Sequence, residues 1–164
     1  MRKIFLSIGL IGLTACTTLQ APDPDLNNEA IVKQIYTDFA AGNMEGFTAA
    51  LAPDIVWIEA ENNPYLTESP YLGVDAVMSG VFAPLGKNWT TFSVLPQSYV
   101  SDGDTVAMFG RYDATNKATG KTMTPQIVHV WTLADGKLTG FQQYGDTAAM
   151  REAVTQGGTA IPKR

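Results

Sequence analysis

The stretch that decides the fold is TMTPQIVHVWTLADGKLTGFQQY, which occupies residues 122–144. Both of its halves alternate apolar with polar residues and are rich in β-branched and aromatic side chains, a pattern typical of half-buried β-strands. Between the halves lies Asp135-Gly136, a pair that favours a tight hairpin turn. The stretch therefore predicts two antiparallel strands, over 122–133 and 137–144, joined by a short turn.

The same alternation continues towards the amino terminus. It predicts strands over 54–60, 90–100 and 105–112, with a turn at Asp102-Gly103 and another over 116–120. Because short turns separate the strands from residue 90 onward, the sequence predicts that these strands pair antiparallel.

Helical spacing of apolar residues appears mainly before these strands. It predicts a first helix capped by Asn28 and ended by Gly42, a second from Asn43, a third over 74–82, and a terminal helix capped by Asp146. Helices followed by an antiparallel sheet indicate an α+β protein. A long curved antiparallel sheet of this kind wraps around the amino-terminal helices as a cone, and a cone contains a pocket.

The amino terminus carries the pattern of an export signal. Arg2 and Lys3 precede an apolar run over 4–13, which is too short to span a hydrocarbon core because a spanning helix needs about 20 residues. Leu-Thr-Ala-Cys at 13–16 looks like a lipobox, in which the cysteine is acylated and becomes the mature amino terminus. We therefore predict a signal peptide over 1–15 and a lipid anchor at Cys16.

The remainder of the chain divides into three parts. Residues 16–27 are polar and proline-containing, as in a flexible tether, residues 28–156 form the domain, and residues 157–164 read as a disordered tail. Thr17 rather than Asp follows Cys16, which in the sorting rule for such lipoproteins indicates the outer membrane of the cell envelope, facing the periplasm. The alternative is an ordinary secretory signal followed by an unrelated cysteine.

Composition narrows the class of partner. The 164-residue chain is 45% hydrophobic and has a formal charge of −5, and loss of Arg2 and Lys3 with the signal would leave a charge of −7. Nucleic-acid binding and adhesion to anionic lipid both need clustered basic side chains, so neither is expected. A single histidine and a single cysteine do not provide metal-ligand spacing, so neither a metal nor another cofactor is expected.

Residues 28–150 resemble the SnoaL-like group of the nuclear transport factor two-like superfamily, which also contains ketosteroid isomerases. Seven short pieces carry the resemblance in the right order: Ala41-Gly42-Asn43, Leu51-Ala52-Pro53-Asp54, PYLGVDAV at 70–77, Thr119-Gly120-Lys121, VHVWTL at 128–133, DGKL at 135–138 and YGDT at 144–147. The resemblance implies the cone-shaped SnoaL-like α+β barrel. It does not imply one reaction, because this fold hosts many functions.

Strand alternation predicts which side chains line the pocket. Side chains two apart share a face of a strand. Three inward sets are expected: Ile55, Trp57 and Glu59; Ile127, His129, Trp131 and Leu133; and Thr139, Phe141, Gln143 and Gly145. The expected ligand-binding residues are Tyr36, Trp57, Phe109, Trp131, Phe141 and Gln143.

The resemblance places the candidate catalytic residues. It implies that Glu59 stands where the isomerases have their general base and His129 where they have a buried acid. A carboxylate among tryptophans loses hydration, which raises its pKa and makes it a better proton acceptor near neutrality. Glu replaces the isomerases' Asp, and Ile35 replaces a first-helix tyrosine. Tyr36 lies about 100° around the helix from it, so steroid isomerisation is not expected.

Structural interpretations of the same residues remain open at this stage. His129 could be a core residue bonded to a neighbour such as Glu59, and Glu59 could be solvated at the mouth of the cone. The tryptophans and Phe141 could be core alone, and Tyr65 and Tyr71 could form a lid or cover the core.

Two classes of function follow from these residues. The sequence predicts a pocket for a small, largely apolar molecule, with an isomerase-, hydratase- or cyclase-like acid–base enzyme using Glu59 and His129 as one alternative. The other alternative is a non-catalytic scaffold. Members of the superfamily often dimerise through the outer sheet face, where Val128 and Val130 are expected, so a homodimer is predicted.

Overall fold

A computed structural model of the chain describes residues 24–64 and 68–156. The predicted signal peptide, Cys16, most of the tether, Tyr65 and the carboxy-terminal tail lie outside the described residues. The elements are, in chain order, α1 (Pro24–Ala41), α2 (Met44–Ala50), β1 (Leu51–Ile58), β2 (Tyr71–Leu72), α3 (Val74–Val77), a π-helical turn (Met78–Phe82), α4 (Ala83–Asn88), β3 (Trp89–Asp102), β4 (Thr105–Asn116), β5 (Thr122–Met123), β6 (Gln126–Ala134), β7 (Lys137–Gly145) and α5 (Thr147–Val154).

One curled sheet contains all seven strands, in the order β2-β1-β7-β6-β4-β3, with β5 paired to β4. The α+β cone predicted from the sequence is confirmed. One detail differs, because β1 and β7 run parallel, with Trp57 opposite Phe141. The sheet is therefore mixed rather than wholly antiparallel, and this parallel pair joins the first strand of the chain to the last.

The deciding hairpin forms between β6 and β7. Asp135 and Gly136 have φ of 50° and 73°, the left-handed conformations that a type I′ turn requires at both central positions. The strand predicted over 122–133 is interrupted at Thr124 and Pro125, because proline has no N–H for the ladder. Its two parts, β5 and β6, each pair with β4.

The first helix begins earlier than the sequence predicted. It starts at Pro24, and proline suits a first helical turn because its fixed φ is helical and that turn leaves N–H groups unpaired. Asn28 is therefore not a cap: it is buried, and its Nδ2 donates to Gly103 O at 3.0 Å. This bond fastens α1 to the β3–β4 turn. The predicted caps of α2 and α5 are confirmed, since Asn43 accepts from Gly46 N and Asp146 from Ala149 N.

The core lies between the concave face of the sheet and α1, which packs on β3 and β4. The helix predicted over 74–82 continues to Asn88 through the π-helical turn and closes one side of the cone. Within residues 24–64 and 68–156, no helix has both the length and the apolarity of a membrane span.

Candidate functional site

The concave face of the sheet brings aromatic residues of three neighbouring strands together. Phe141 on β7 lies opposite both Trp57 on β1 and Trp131 on β6. The Trp57 and Phe141 rings stack with centroids 3.9 Å apart, and Trp131 lies at 4.6 Å from Phe141. These rings form one wall of a cavity of about 70 Å³, so the space between sheet and helices is not filled by side chains.

The predicted inward sets are largely found inside. Glu59, His129 and Gln143 are each about 4% exposed and line the cavity together with the aromatic wall. The exceptions are in β7. Gly145, predicted to face inward, is exposed at the end of the strand, and a register shift between Thr132 and Leu133 moves one residue out of alternation. Leu138 is therefore fully buried. Thr139, predicted to face inward, donates its hydroxyl to Thr132 O on the outer side.

Phe109 was predicted to bind ligand and does not line the cavity. It is 39% exposed, whereas its neighbour on the strand, Met108, is fully buried. Phe109 pairs with Val128, which faces away from His129's side of β6. The prediction is wrong because strand parity places Phe109 on the outer face of the sheet.

A chain of hydrogen bonds crosses the interior at His129. The Trp131 indole Nε1 donates to the Tyr36 hydroxyl at 2.8 Å, and this hydroxyl lies 2.9 Å from His129 Nδ1. On the other side, the Tyr112 hydroxyl lies 2.8 Å from His129 Nε2 and accepts from Gln143 Nε2 at 2.6 Å. We call the three central residues the Tyr36–His129–Tyr112 chain. Both ring nitrogens of His129 are thus occupied by hydroxyl groups, and neither bonds Glu59.

Burial keeps this chain uncharged. Desolvation lowers the pKa of His129 to about 3, so the imidazole is neutral at neutral pH. The pKa values of Tyr36 and Tyr112 are raised well above 10, again mainly by desolvation. All three groups therefore act as neutral hydrogen-bonding partners.

Tyr36, which was expected to bind ligand, lines the cavity. Ile35 and Tyr36 are both buried, at 1% and 8% exposure, and the Tyr36 hydroxyl reaches into the cavity. The geometric reason is that α1 lies deep in the cone, so that a wide arc of its surface is covered. Ile35 and Tyr36 are therefore both covered, although they point about 100° apart around the helix.

Tyr112 is the functional-site residue that the sequence analysis missed. It lies on β4, on the same face of the strand as the buried Val106 and Met108. Extending the alternation of the predicted strand to its last residue would have placed Tyr112 inside. The side-chain amide of Gln143, which donates to Tyr112, is also fixed in orientation. Gln143 Oε1 accepts from Ala60 N at 3.4 Å, and this bond turns the amide nitrogen towards Tyr112.

Glu59 forms a second polar group at the cavity. The Trp57 indole Nε1 donates to Oε1 at 2.6 Å, and Asn63 Nδ2 donates to Oε2 at 3.3 Å. Desolvation outweighs these donors and raises the pKa of Glu59 to about 7. Glu59 is therefore buried rather than solvated at the mouth, and its carboxyl group is poised to take up or release a proton near neutrality.

Tyr71, which the sequence left open as a lid or a core residue, is part of the core. Tyr71 is 7% exposed and its pKa is raised by desolvation, so it covers the core beside β1. Among the described residues, no lysine or arginine lines the cavity, and no group of three potential ligands is placed to hold a metal ion. The cavity can thus hold an apolar body, present the hydroxyl groups of Tyr36 and Tyr112, and exchange a proton at Glu59.

Comparisons with known proteins agree with this architecture. The family model described as SnoaL-like domain matches residues 32–141. A solved NTF2-like protein from Burkholderia thailandensis E264 is 30% identical, with a TM-score of 0.74 and coverage of 78% of this chain and 97% of its own. An NTF2-like protein of unknown function from Burkholderia pseudomallei K96243 is 27% identical, with a TM-score of 0.73 and coverage of 79% and 98%.

A third similar structure contains an organic molecule. TerC, co-crystallised with polyporic acid, is 26% identical, with a TM-score of 0.70 and coverage of 77% of this chain and 97% of its own. No curated protein matches the chain.

Proposed function

The chain belongs to the SnoaL-like domain family, and we propose that its cavity binds a small, largely apolar molecule. The observation that carries this proposal is an aromatic-walled cavity of about 70 Å³, with room for roughly five water molecules by the same measure. A site of this kind binds through apolar contact and uses a few polar groups for orientation. TerC, a similar protein, is crystallised with an organic molecule, polyporic acid, which supports the proposal.

Binding can be observed at the cavity wall itself. The chain has three tryptophans, and Trp57, Trp89 and Trp131 all line the cavity. We expect saturable shifts of their indole N–H signals in ¹H–¹⁵N NMR spectra when cyclohexanone, a compact single-ring probe, is added. Indole signals that do not move over the whole titration would contradict the proposal.

A matched pair of variants on β3 tests whether the cavity is the binding site. Val94 lines the cavity, whereas Val100 on the same strand is 60% exposed. Val94→Phe should weaken cyclohexanone binding at least about tenfold, because the added ring occupies ligand space and overlap with a bound molecule costs more than 1.4 kcal/mol. Val100→Phe should bind as the wild type does. Equal binding by the two variants would place the ligand elsewhere.

An acid–base reaction on the bound molecule is the second candidate function, and the raised pKa of Glu59 favours it. In this reaction the Glu59 carboxylate takes a proton from the carbon beside a ligand carbonyl and leaves an enolate. The Glu59 carboxyl group exchanges this proton with the solvent and then returns a solvent-derived hydrogen to the enolate. Exchange of the α-hydrogens of cyclohexanone for deuterium in D₂O measures this step by NMR. The wild type should accelerate the exchange and Glu59→Gln should not, while equal rates would exclude Glu59 as the base.

Export and lipid anchoring at Cys16 complete the proposed function. The support is the Leu13-Thr14-Ala15-Cys16 pattern after a short apolar run. Full-length protein should fractionate with envelope membranes, and outer membranes in a two-membrane cell, whereas Cys16→Ser should appear in the soluble fraction. A Cys16→Ser protein that stays on membranes would contradict the anchor.

The outer sheet face is the proposed contact between two copies of the chain. Phe109, Val128 and Tyr144 form a row across β4, β6 and β7 on that face, and Phe109 and Tyr144 are exposed. Sedimentation analysis should show a dimer for the wild type and a monomer for Tyr144→Glu, because a carboxylate cannot be buried there without a partner. A wild-type monomer would contradict the proposal.

A further inference from the structure

The Tyr36–His129–Tyr112 chain has one more proton than its own hydrogen bonds use. A neutral imidazole carries one N–H and each tyrosine one O–H, which makes three protons. The chain contains only two contacts, Tyr36 to His129 and His129 to Tyr112, and each contact uses one proton. One proton of the three therefore has no acceptor within the chain.

The neighbours of the chain do not accept this proton. Trp131 Nε1 and Gln143 Nε2 are both donors, and each already donates to one of the two hydroxyls. Among the described residues, neither hydroxyl has a further hydrogen-bond partner. Since both tyrosines line the cavity, the spare proton is available to whatever occupies it.

The tautomer of His129 decides which tyrosine holds the spare proton. When Nε2 is protonated, it donates to Tyr112 and accepts at Nδ1 from Tyr36, so the Tyr112 hydroxyl proton is spare. When Nδ1 is protonated, it donates to Tyr36 and accepts at Nε2 from Tyr112, so the Tyr36 proton is spare. The two tautomers thus place one donor at alternative positions in the cavity.

We propose that His129 acts as a positioning residue, whose tautomer directs one tyrosine hydroxyl proton to an uncharged oxygen of the bound molecule. The ligand class is then a small, mostly apolar compound with a carbonyl or similar acceptor. The inference rests on the proposed binding function and deepens it. An anionic ligand is disfavoured, because in the described part of the chain the carboxyl group of Glu59 lines the cavity and no lysine or arginine does.

Two probes of nearly equal shape test the recognition of oxygen. Cyclohexanone carries a carbonyl where methylenecyclohexane carries a C=CH₂ group, and both can be titrated against the full-length protein by the indole N–H signals. We expect cyclohexanone to bind about fivefold more tightly, as a net hydrogen bond of about 1 kcal/mol would give. Binding of neither probe would overturn the proposed function itself. Equal binding of both would overturn only the recognition of oxygen.

The histidine ring reports the tautomer directly. His129 is the single histidine of the chain, so selective ¹⁵N labelling gives one pair of ring signals, whose shifts distinguish a protonated from an unprotonated nitrogen. Tyr36→Phe leaves only Tyr112 as donor, and its cyclohexanone complex should show the Nε2–H form. Tyr112→Phe leaves only Tyr36, and its complex should show the Nδ1–H form.

These variants separate positioning from a merely structural role. Opposite tautomers in the two ketone complexes, absent with methylenecyclohexane, would support the inference. The same tautomer in both complexes, or identical ring signals with the two probes, would overturn it. If either variant fails to fold, the wild-type comparison decides: ring signals that differ between cyclohexanone and methylenecyclohexane support the inference, and unchanged signals overturn it.

Discussion

In two regions of one cavity, burial shifts the pKa values of ionisable groups in opposite directions. Burial raises the pKa of Glu59 to about 7 and lowers the pKa of His129 to about 3, because in both cases the charged form loses hydration. His129 lies between two neutral hydroxyls, whereas Glu59 accepts from an indole and an amide N–H of the described residues. The difference shows that the region around His129 stays uncharged, while the region around Glu59 can exchange a proton near neutral pH.

Of the substitutions that test this comparison, removal of the His129 imidazole should have the largest effect on stability. In His129→Phe both tyrosine hydroxyls lose their central partner, and two underbonded buried groups should lower the free energy of unfolding by on the order of 4 kcal/mol. Urea denaturation at pH 7 measures the change. His129→Gln, which keeps one donor and one acceptor, is the control and should lose less. Equal stability of wild type and His129→Phe would show that the Tyr36–His129–Tyr112 chain contributes nothing to the stability of the fold.

The pH dependence of stability should separate the two regions. Glu59 has a higher pKa in the folded than in the unfolded state, so its contribution is complete below about pH 4.5 and is lost as pH rises to about 7. Relative to Glu59→Gln, which cannot ionise, the wild type should lose on the order of 3 kcal/mol of unfolding free energy over this interval. Parallel pH profiles of the two proteins would contradict the raised pKa of Glu59.

His129 titrates with the opposite sign in the same experiment. Its pKa is lower in the folded state, so its contribution is present above about pH 6.5 and is lost as pH falls towards 3. In the wild type the two slopes oppose each other between about pH 4.5 and 6.5, and stability should change little there. In Glu59→Gln the slope of His129 remains alone, and stability should rise with pH from about 3 to 6.5.

Phe109 should give the smallest effect, because it lies on the outer face of the sheet. Phe109→Ser should change neither cyclohexanone affinity nor the indole N–H signals of the cavity, because the Phe109 side chain does not line the cavity. The titration used for the wild type measures this directly. Weaker cyclohexanone binding by Phe109→Ser would show that Phe109 contributes to the binding site. The inner and outer faces of the sheet would then not be functionally separate.

Much of the site was predictable from strand periodicity. The alternation of β1 and β6 places Trp57, His129 and Trp131 inside, as the sequence predicts, because successive side chains of a strand point to opposite faces. Glu59, which follows directly after β1, is also inside. The prediction failed at Thr139, because a register shift in β7 interrupts the period of two. A bulge of this kind depends on how two strands align, which neither strand encodes alone.

The sequence by itself determined the local features: the faces of most strands, the Asp135-Gly136 turn, and the caps at Asn43 and Asp146. These depend on backbone preferences and on neighbours within a few residues, so a single sequence carries them. Tertiary structure alone decided that Tyr36 and Tyr112 meet His129 across 93 and 17 residues of chain, and that β1 pairs parallel with β7. Those contacts depend on how deeply α1 enters the cone and how the sheet curls, and both follow from packing of the whole core.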